Sequence, residues 1–230
     1  MTEWYPATLV ARSPAADGLT DLTLDVTHTP LAGTHQRPGQ YLHVRLPGYE
    51  ECLFAIASPP GNAGRWDLLV KEGAGLADAL VRLPLGAPIE VSRPKGRGFP
   101  LELARGKTLL LFATGSGISP IRSVIESIRL DRQEYGQVTL YFGARTPAAF
   151  AYERDFVEWE RAGVRVVPTV SQPGVSGWQG LTGYVQAHLA DEPLAPGTLA
   201  FICGQQEMAQ GVIKALKARG LPASAIHQNF

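Results

Sequence analysis

Up to about residue 101, short apolar runs alternate with polar positions and are separated by turn residues at nearly regular spacing. Short alternating runs bounded by Gly and Pro are typical of antiparallel strands. One segment differs, because Leu76, Leu80 and Leu83 recur at helical spacing. The pattern therefore predicts a small all-β barrel or sandwich over residues 1–101, with one helix. The predicted strands lie in ATLVARS, LTDLTLDVTH, GQYLHVRLPG, CLFAIASPP, RWDLLVKEG and APIEVSRP.

From residue 102 onwards, strand-like and helix-like segments alternate along the chain. The predicted strands are KTLLLFA, QVTLYFGA, VRVVPTVS and GTLAFICG, followed by a short strand at Ala225-Ile226. The predicted helices are SPIRSVIESIRL, PAAFAYERDFVEWERA, GYVQAHLAD and QEMAQGVIKALKARG. This alternation predicts an α/β domain with a doubly wound parallel sheet over residues 102–230. Such sheets bind ligands at the carboxyl ends of their strands, where the strand order reverses.

Composition narrows the classes of function. The chain has 230 residues, with 21 Lys and Arg against 21 Asp and Glu, so there is no footprint for nucleic acid or a membrane surface. The first ten residues lack the pattern of a secretory signal, and we expect a soluble, cytoplasmic protein. Cys52 and Cys203 are far apart in sequence and form no C-x-x-C pair. We therefore expect no metal or iron–sulfur site within the chain.

A glycine-rich turn, Thr114-Gly115-Ser116-Gly117, joins the first predicted strand of the second half to its helix. Glycines let a backbone approach phosphate closely, and a helix N-terminus offers unpaired N–H groups. Pro120 suits the first helical turn, but it stands where a dinucleotide fingerprint would place its third Gly. The turn is thus either a phosphate-binding loop or an ordinary tight turn.

A second strand-to-helix junction has the sequence FICGQQEM. It should bring Cys203-Gly204 to the same sheet edge, beside the first glycine loop. A lone buried Cys is more commonly a small core residue than a functional one.

Taken in order, ATGSGISPIRS, YFGART…YERDF, SQPGVSGWQGLTGYV, CGQQEM and the C-terminal aromatic resemble the ferredoxin–NADP reductase superfamily. RPGQYLHVRL resembles the entry to that superfamily's flavin barrel, and CLFAIASPP resembles its fruit-protein-like reductase branch. The resemblance covers nearly the whole chain. It implies an FAD-binding barrel over residues 1–101 and an NAD(P)-binding domain over residues 102–230.

The resemblance also shows where this chain departs from the family. Cys52, Phe54 and Ala55 stand where most members have Arg for the FAD diphosphate, Tyr against the flavin ring and Ser near flavin N5. The Ser of the family's G-x-x-S element is missing from GAGLADAL as well. We expect FAD to be retained by helix-start N–H groups, an apolar ring platform, and Lys71 or Arg93 as the replacement cation. The alternative is a barrel that has lost flavin. The implied flavin-binding residues are Tyr41, Phe54, Ala55, Ile56, Ala57, Val70, Lys71, Gly75, Leu76 and Ala77.

The nicotinamide nucleotide is implied to lie along the sheet edge of the second half. Ser171-Gln172 replaces the Ser-Arg pair of NADPH-using members, which favours NADH. Arg145 is the alternative contact for a 2′-phosphate, because a guanidinium suits that group. The implied nucleotide-binding residues are Thr114, Gly115, Ser116, Gly117, Ile118, Arg145, Ser171, Gly204, Gln205 and Met208.

The implied activity is transfer of a hydride from NAD(P)H to FAD, followed by electron transfer to a separate acceptor. Cys203 is expected beside the nicotinamide, and Phe230 is expected to cover the flavin ring as a gate. The acceptor is not named by the sequence and is another protein, a quinone or a small oxidant. Two alternatives remain: a nucleotide-binding or regulatory protein that has lost flavin, and an electron-transfer subunit of a larger complex.

Overall fold

The computed structural model describes residues 2–62, 64–175, 177–189 and 193–229. The first half forms one antiparallel sheet and one helix. Its elements are β1 (Tyr5–Ala16), β2 (Leu19–Asp25), β3 (Tyr41–Arg45), β4 (Cys52–Ala55), β5 (Arg65–Lys71), α1 (Gly75–Arg82) and β6 (Pro88–Val91).

The second half forms a parallel sheet with helices between its strands. Its elements are β7 (Leu109–Thr114), α2 (Ile118–Leu130), β8 (Val138–Ala144), α3 (Phe156–Arg161), β9 (Val164–Val170), β10 (Leu181–Thr182), β11 (Leu199–Cys203), α4 (Gln206–Ala218) and β12 (Ile226–Gln228).

The antiparallel sheet curls so that its two edge strands approach each other. Its strand order is β4-β3-β6-β1-β2-β5. Just beyond β4, the Ala57 N–H donates to the Asp67 carbonyl of β5 at 2.7 Å, and Ile56 pairs with Leu68. Alternate residues of the strands point inward, as Leu22 and Leu24 of β2 do, and both are fully buried. The predicted barrel is confirmed.

The second sheet is parallel throughout, with the order β10-β9-β8-β7-β11-β12. The chain moves outward from β7 through β8 and β9, and then returns to place β11 on the other side of β7. The order therefore reverses between β7 and β11. Residues 109–113 of β7 are buried without interruption, as expected for a strand covered on both faces. The predicted doubly wound sheet is confirmed.

The single helix predicted over residues 147–162 is wrong. The chain makes a 3-10 turn at Pro147–Ala149, another at Glu153–Asp155, and only then begins α3. Between the turns Tyr152 has a φ of 61°, which is a left-handed conformation. This reversal lets Phe150 pack against Phe142 of β8 while Tyr152 reaches Asp21 of the barrel. Contacts across the two domains override the local helical pattern.

The helix predicted over residues 183–191 is also wrong within its described part. It is a short 3-10 turn, Val185–His188, and residues 190 and 191 lie outside the described residues. His188 folds back so that its Nε2 lies 2.8 Å from the carbonyl oxygen of Thr182. Thr182 belongs to the two-residue strand β10, which the sequence pattern did not predict.

The two halves are joined by residues 92–108, and the boundary predicted after residue 101 falls at a 3-10 turn, Leu101–Ala104. Leu19, Ala57 and Leu69 of the barrel pack into the larger apolar core of the second half. Of the helices in the described ranges, none combines the length and apolar character needed to cross a bilayer. Those ranges also contain no group of three or more His, Cys, Asp or Glu side chains placed to hold a metal ion.

Candidate functional site

The glycine turn after β7 lies directly against the end of β11. A Cβ added to Gly117 would lie 2.5 Å from the carbonyl oxygen of Cys203 and 2.7 Å from the Cα of Gly204. Gly117 itself has an ordinary φ of −63°. Gly115 has the positive φ, at 54°, with open space around it. Gly117 is needed for close backbone approach, and Gly115 is needed for the turn.

Gly204 completes the contact between the two loops. Its φ is 150°, and an added Cβ would collide with Oγ1 of Thr114. The same Thr114 Oγ1 accepts a hydrogen bond from the Gln205 N–H at 3.0 Å. The carboxyl ends of β7 and β11 are thus held together at the point where the strand order reverses, where α/β sheets bind their ligands.

The start of α2 is suited to an anion. Gly117 is its N-cap and has no side chain, which lets the helix start lie directly against the backbone of Cys203 and Gly204. Gly115 and Ser116 are exposed beside it. Backbone N–H groups and the positive end of the helix dipole favour a phosphate group at such a position.

The thiol of Cys203 is in the neutral form. Burial raises its pKa to about 12, and the residue is 8% exposed. A protonated thiol is a poor nucleophile, so Cys203 is not suited to covalent chemistry at neutral pH. It can offer a small, uncharged contact to a ligand at the sheet edge.

We expect Cys203 to resist alkylation in the folded protein. With a pKa of about 12, only about one thiol in 10⁴ is ionised at pH 8. Iodoacetamide at pH 8, followed by peptide mass spectrometry, should modify the half-buried Cys52 well before Cys203. Equal labelling of both cysteines in the native protein would contradict this description of the site.

The other side of the sheet edge carries polar groups at the ends of β8 and β9. Arg145 and Gln172 are both exposed, and Arg145 Nε donates to Gln172 Oε1 at 2.8 Å. The N–H groups of Ser171 and Gln172 bond to the carbonyls of Ala144 and Arg145. The structure therefore brings Arg145, Ser171 and Gln172 together at the carboxyl ends of β8 and β9.

On the barrel, β4 presents the residues that the resemblance assigns to the flavin ring. Phe54 is half-buried, lies opposite Leu42 of β3 and packs against the barrel core. Ala55 lies opposite Tyr41, and both are half-buried. Leu53 precedes Phe54, shares the face of Ala55 because side chains alternate along a strand, and is 59% exposed. The edge strand thus offers an apolar surface of the kind on which a flat aromatic ring can lie.

Several predicted binding residues have buried side chains, as Cys203 does. These are Ile56, Ala57, Val70, Leu76, Ile118 and Met208. The remaining predicted residues of the described chain, apart from Cys203, are at least partly exposed: Tyr41, Phe54, Ala55, Lys71, Gly75, Ala77, Thr114, Gly115, Ser116, Gly117, Arg145, Ser171, Gly204 and Gln205.

The start of α1 is a weaker anion site than the start of α2. The Asp78 carboxylate lies in the first turn and accepts the Gly73 N–H at 2.8 Å, with Arg82 3.9 Å away. This acid follows Gly75 by three residues, where a G-x-x-S element would have its Ser. Lys71 is exposed at the end of β5. The barrel fits the ring of FAD and offers helix-start N–H groups, but Asp78 disfavours a diphosphate beside it.

Arg93, the other replacement cation proposed from the sequence, lies beside two residues near the start of the chain, and its role at FAD stays a prediction. Its Nε lies 3.7 Å from the Glu3 carboxylate, and its guanidinium lies 4.9 Å from the centre of the Tyr5 ring. The Arg93 guanidinium therefore interacts with Glu3 and Tyr5, near the start of the chain.

The flavin strand and the nucleotide loop are neighbours. Ser119, in the first turn of α2, donates its hydroxyl to the Ala55 carbonyl at 3.0 Å. Sequence reasoning missed this contact, although Ser119, Arg122 and Ser123 recur at the i, i+3, i+4 spacing of one helical face. The two candidate sites therefore lie next to each other where the domains meet, and this region is called the crevice below.

The C-terminal strand reaches the same region. The Asn229 N–H bonds to the Ile202 carbonyl at 3.0 Å, and its side-chain amide donates to the Gly39 carbonyl of the barrel. Gly39 lies two residues before Tyr41. Phe230 lies outside the described residues, and its role as a gate over the flavin stays a prediction.

Comparison with known proteins agrees with this geometry. Residues 111–214 match the oxidoreductase NAD-binding domain family. The chain is 31% identical to fruit protein pKIWI502 of Actinidia deliciosa, covering 97% of this chain and 76% of that protein. It is 31% identical to ferredoxin–NADP reductase B of Sorangium cellulosum (strain So ce56), covering 82% of each.

A solved structure of a ferredoxin NADP⁺ reductase from Neisseria gonorrhoeae with bound FAD and NADP has the same fold. Its TM-score is 0.80 at 17% identity, over 100% of this chain and 99% of that one. The chain belongs to the ferredoxin–NADP reductase family of NAD(P)H-dependent, FAD-containing oxidoreductases.

Proposed function

We propose that this protein oxidises NAD(P)H through FAD and passes the electrons to a separate acceptor. The contact between α2 and β4 is the observation that carries the proposal. Ser119 ties the helix that begins at the Gly115–Gly117 loop to Ala55 on the flavin strand. A dinucleotide whose diphosphate lies at the start of α2 would then have the flavin site within reach of its other end.

Bound FAD supplies the two-electron acceptor for the hydride, so the protein needs no acid or base for that step. The residues of the protein bind the dinucleotide and the flavin and orient them relative to each other. The start of α2 takes the dinucleotide diphosphate, Phe54 and Tyr41 support the flavin ring, and neutral Cys203 contacts the nicotinamide. Its protonated thiol places no negative charge beside the transferring hydride.

We infer that the electron acceptor is a separate molecule and favour a protein. The two cysteines of this sequence are 151 positions apart (203 − 52) and form no iron–sulfur motif. The Sorangium relative is named for reduction involving ferredoxin. A small electron-transfer protein docking over the crevice is consistent with that relationship.

Steady-state assays test this function directly. Purified protein supplied with FAD should catalyse NADH oxidation coupled to ferricyanide, and should do so faster than free FAD at the same concentration. Addition of candidate ferredoxins or quinones should reveal the natural class of acceptor. A rate no higher than that of free FAD would support the alternative, a nucleotide-binding protein of the same fold.

We expect NADH to be preferred severalfold over NADPH in kcat/KM. Gln172 offers no charge where NADPH-using members place Arg, although Arg145 lies next to it. Arg145→Ala and Gln172→Arg separate the two explanations. Gln172→Arg should shift the ratio towards NADPH, and Arg145→Ala should lower activity with NADPH more than with NADH. A wild-type preference for NADPH that Arg145→Ala abolishes would instead identify Arg145 as the phosphate contact.

A further inference from the structure

One face of α2 is bonded to three carbonyls along the flavin strand and its extension. Ser119 Oγ donates to the Ala55 carbonyl at 3.0 Å, and Ser123 Oγ donates to the Ser58 carbonyl at 2.7 Å. Between them, a guanidinium N–H of Arg122 donates to the Ala57 carbonyl at 3.3 Å. The helix that begins at the nucleotide loop is therefore attached to the flavin side at successive points.

Arg122 lies at the centre of a charged cluster between the domains. Its guanidinium is 3.1 Å from the Asp67 carboxylate of the barrel and 3.4 Å from the Asp155 carboxylate of its own domain. Only 17% of the Arg122 side chain is exposed. Burial opposes its charge, but the acidic groups around it outweigh burial, and its pKa is raised above the ordinary value. The guanidinium therefore remains charged although most of its surface is buried in the interface.

The aromatic ring of Tyr152 packs against the Arg122 guanidinium. The guanidinium lies 4.7 Å from the centre of the Tyr152 ring, and the Tyr152 hydroxyl donates to Asp21 of β2 at 2.8 Å. Tyr152 is 1% exposed and is the one non-glycine residue of the described chain with a positive φ. Strained residues of this kind persist where surrounding contacts determine them strongly. Here those contacts are made with Asp21 of β2 and with Arg122, which is itself bound to Asp67 of β5.

We propose that Arg122 is the positioning residue that sets the distance between the nicotinamide and the flavin. This proposal rests on the proposed function. Arg122 touches neither the glycine loop nor Phe54; it fixes α2, whose first residue follows the loop, against Ala57, which follows the flavin strand. A planar guanidinium can donate to a carbonyl and two carboxylates while it lies flat on a ring, and the compact ammonium group of Lys does not reproduce this geometry.

Replacement of Arg122 should change the distance between the nicotinamide and the flavin more than it changes the affinity for NADH. Without the guanidinium, Asp67 and Asp155 are left close together with like charge across the interface, and the domains should separate slightly. Hydride transfer is sensitive to small displacements, since a shift of about 1 Å can cost on the order of 100-fold in rate. The dinucleotide binds the start of α2 and the sheet edge, which lie within one domain. Its dissociation constant should therefore change little.

Anaerobic stopped-flow reduction of the FAD-loaded protein tests the proposal. Flavin reduction at varied NADH gives the limiting rate and the NADH dissociation constant separately. Arg122→Met should lower the limiting rate at least tenfold, with the dissociation constant and FAD content within twofold of wild type. Arg122→Lys should recover part of the rate. Ser119→Ala, a milder change at the same interface, should lower it two- to fivefold and serves if Arg122→Met does not fold.

Arg129→Met is the matched control. Arg129 lies on the same helix, its side chain is 33% exposed, and its ion pair is with Glu126 of that helix rather than with a barrel residue. Its replacement should leave the limiting rate unchanged. Limiting rates equal to wild type in Arg122→Met, or in Ser119→Ala if only that variant folds, would overturn the proposal. So would a loss explained wholly by weaker NADH or FAD binding. A wild-type flavin that NADH does not reduce at all would refute the proposed function itself.

Discussion

Gly117→Val is expected to lower kcat/KM for NAD(P)H by at least about 100-fold while FAD remains bound. An added Cβ would lie 2.5 Å from the Cys203 carbonyl oxygen and 2.7 Å from the Gly204 Cα. Both neighbours are backbone atoms, so no side-chain rotation relieves the collision. The loop must move away from β11 and carry the diphosphate position with it. The stability cost of such overpacking is typically about 1–3 kcal/mol, which a folded domain can survive.

Gly115→Ala is the informative control for that experiment. Its added Cβ meets no atom within 4 Å, but the residue has a φ of 54°. The expected effect is a modest loss of stability, about 1 kcal/mol, with a smaller loss of turnover. Steady-state kinetics and thermal unfolding are measured for both variants. Gly117→Val reports the effect of pushing the loop away from β11, and Gly115→Ala reports the effect of straining the backbone alone. Normal turnover in Gly117→Val would mean that the loop is an ordinary turn.

Restoring the two polar groups of the barrel is expected to tighten FAD binding ten- to a hundredfold. A charge-assisted hydrogen bond contributes about 1.5–3 kcal/mol, which corresponds to about that factor. Cys52→Arg supplies the cation, and Asp78→Ser removes the carboxylate that now accepts the Gly73 N–H. The double variant should therefore hold a diphosphate much better than the wild-type protein.

Fluorescence titration of the apo-protein with FAD and with riboflavin checks this prediction. Riboflavin has the same ring and no phosphate, so its affinity should stay within about twofold in the double variant. Glu160→Gln, at an exposed acid on α3 of the other domain, is the control for a general charge effect. Equal gains for both flavins, or no gain for FAD, would show that the diphosphate does not lie near Cys52 and Asp78.

Local sequence patterns were sufficient to predict the two sheets and the proximity of the loops that follow β7 and β11. Alternation in β2 and continuous apolar character in β7 reflect burial on one face and on two faces, which is a property of each strand alone. Because parallel strands end at one sheet edge, Gly115–Gly117 and Cys203-Gly204 could be predicted to lie together.

Features that depend on contacts between distant segments could not be predicted. Position 117 must be glycine because the backbone of Cys203 leaves no room for a side chain, and Cys203 is 86 positions away (203 − 117). The left-handed Tyr152 depends on Asp21 in the barrel, so the local pattern indicated a helix there. Arg122 resembles a solvated helical residue in the sequence, and only the docking of the two domains encloses it.

The visible absorbance spectrum during anaerobic addition of NADH tests the central claim most directly. Protein reconstituted with FAD and freed of excess cofactor should show the oxidised flavin band, and about one equivalent of NADH should bleach it. A protein that retains no flavin band after reconstitution, or whose band NADH leaves unchanged, would contradict the assignment of hydride transfer to this crevice.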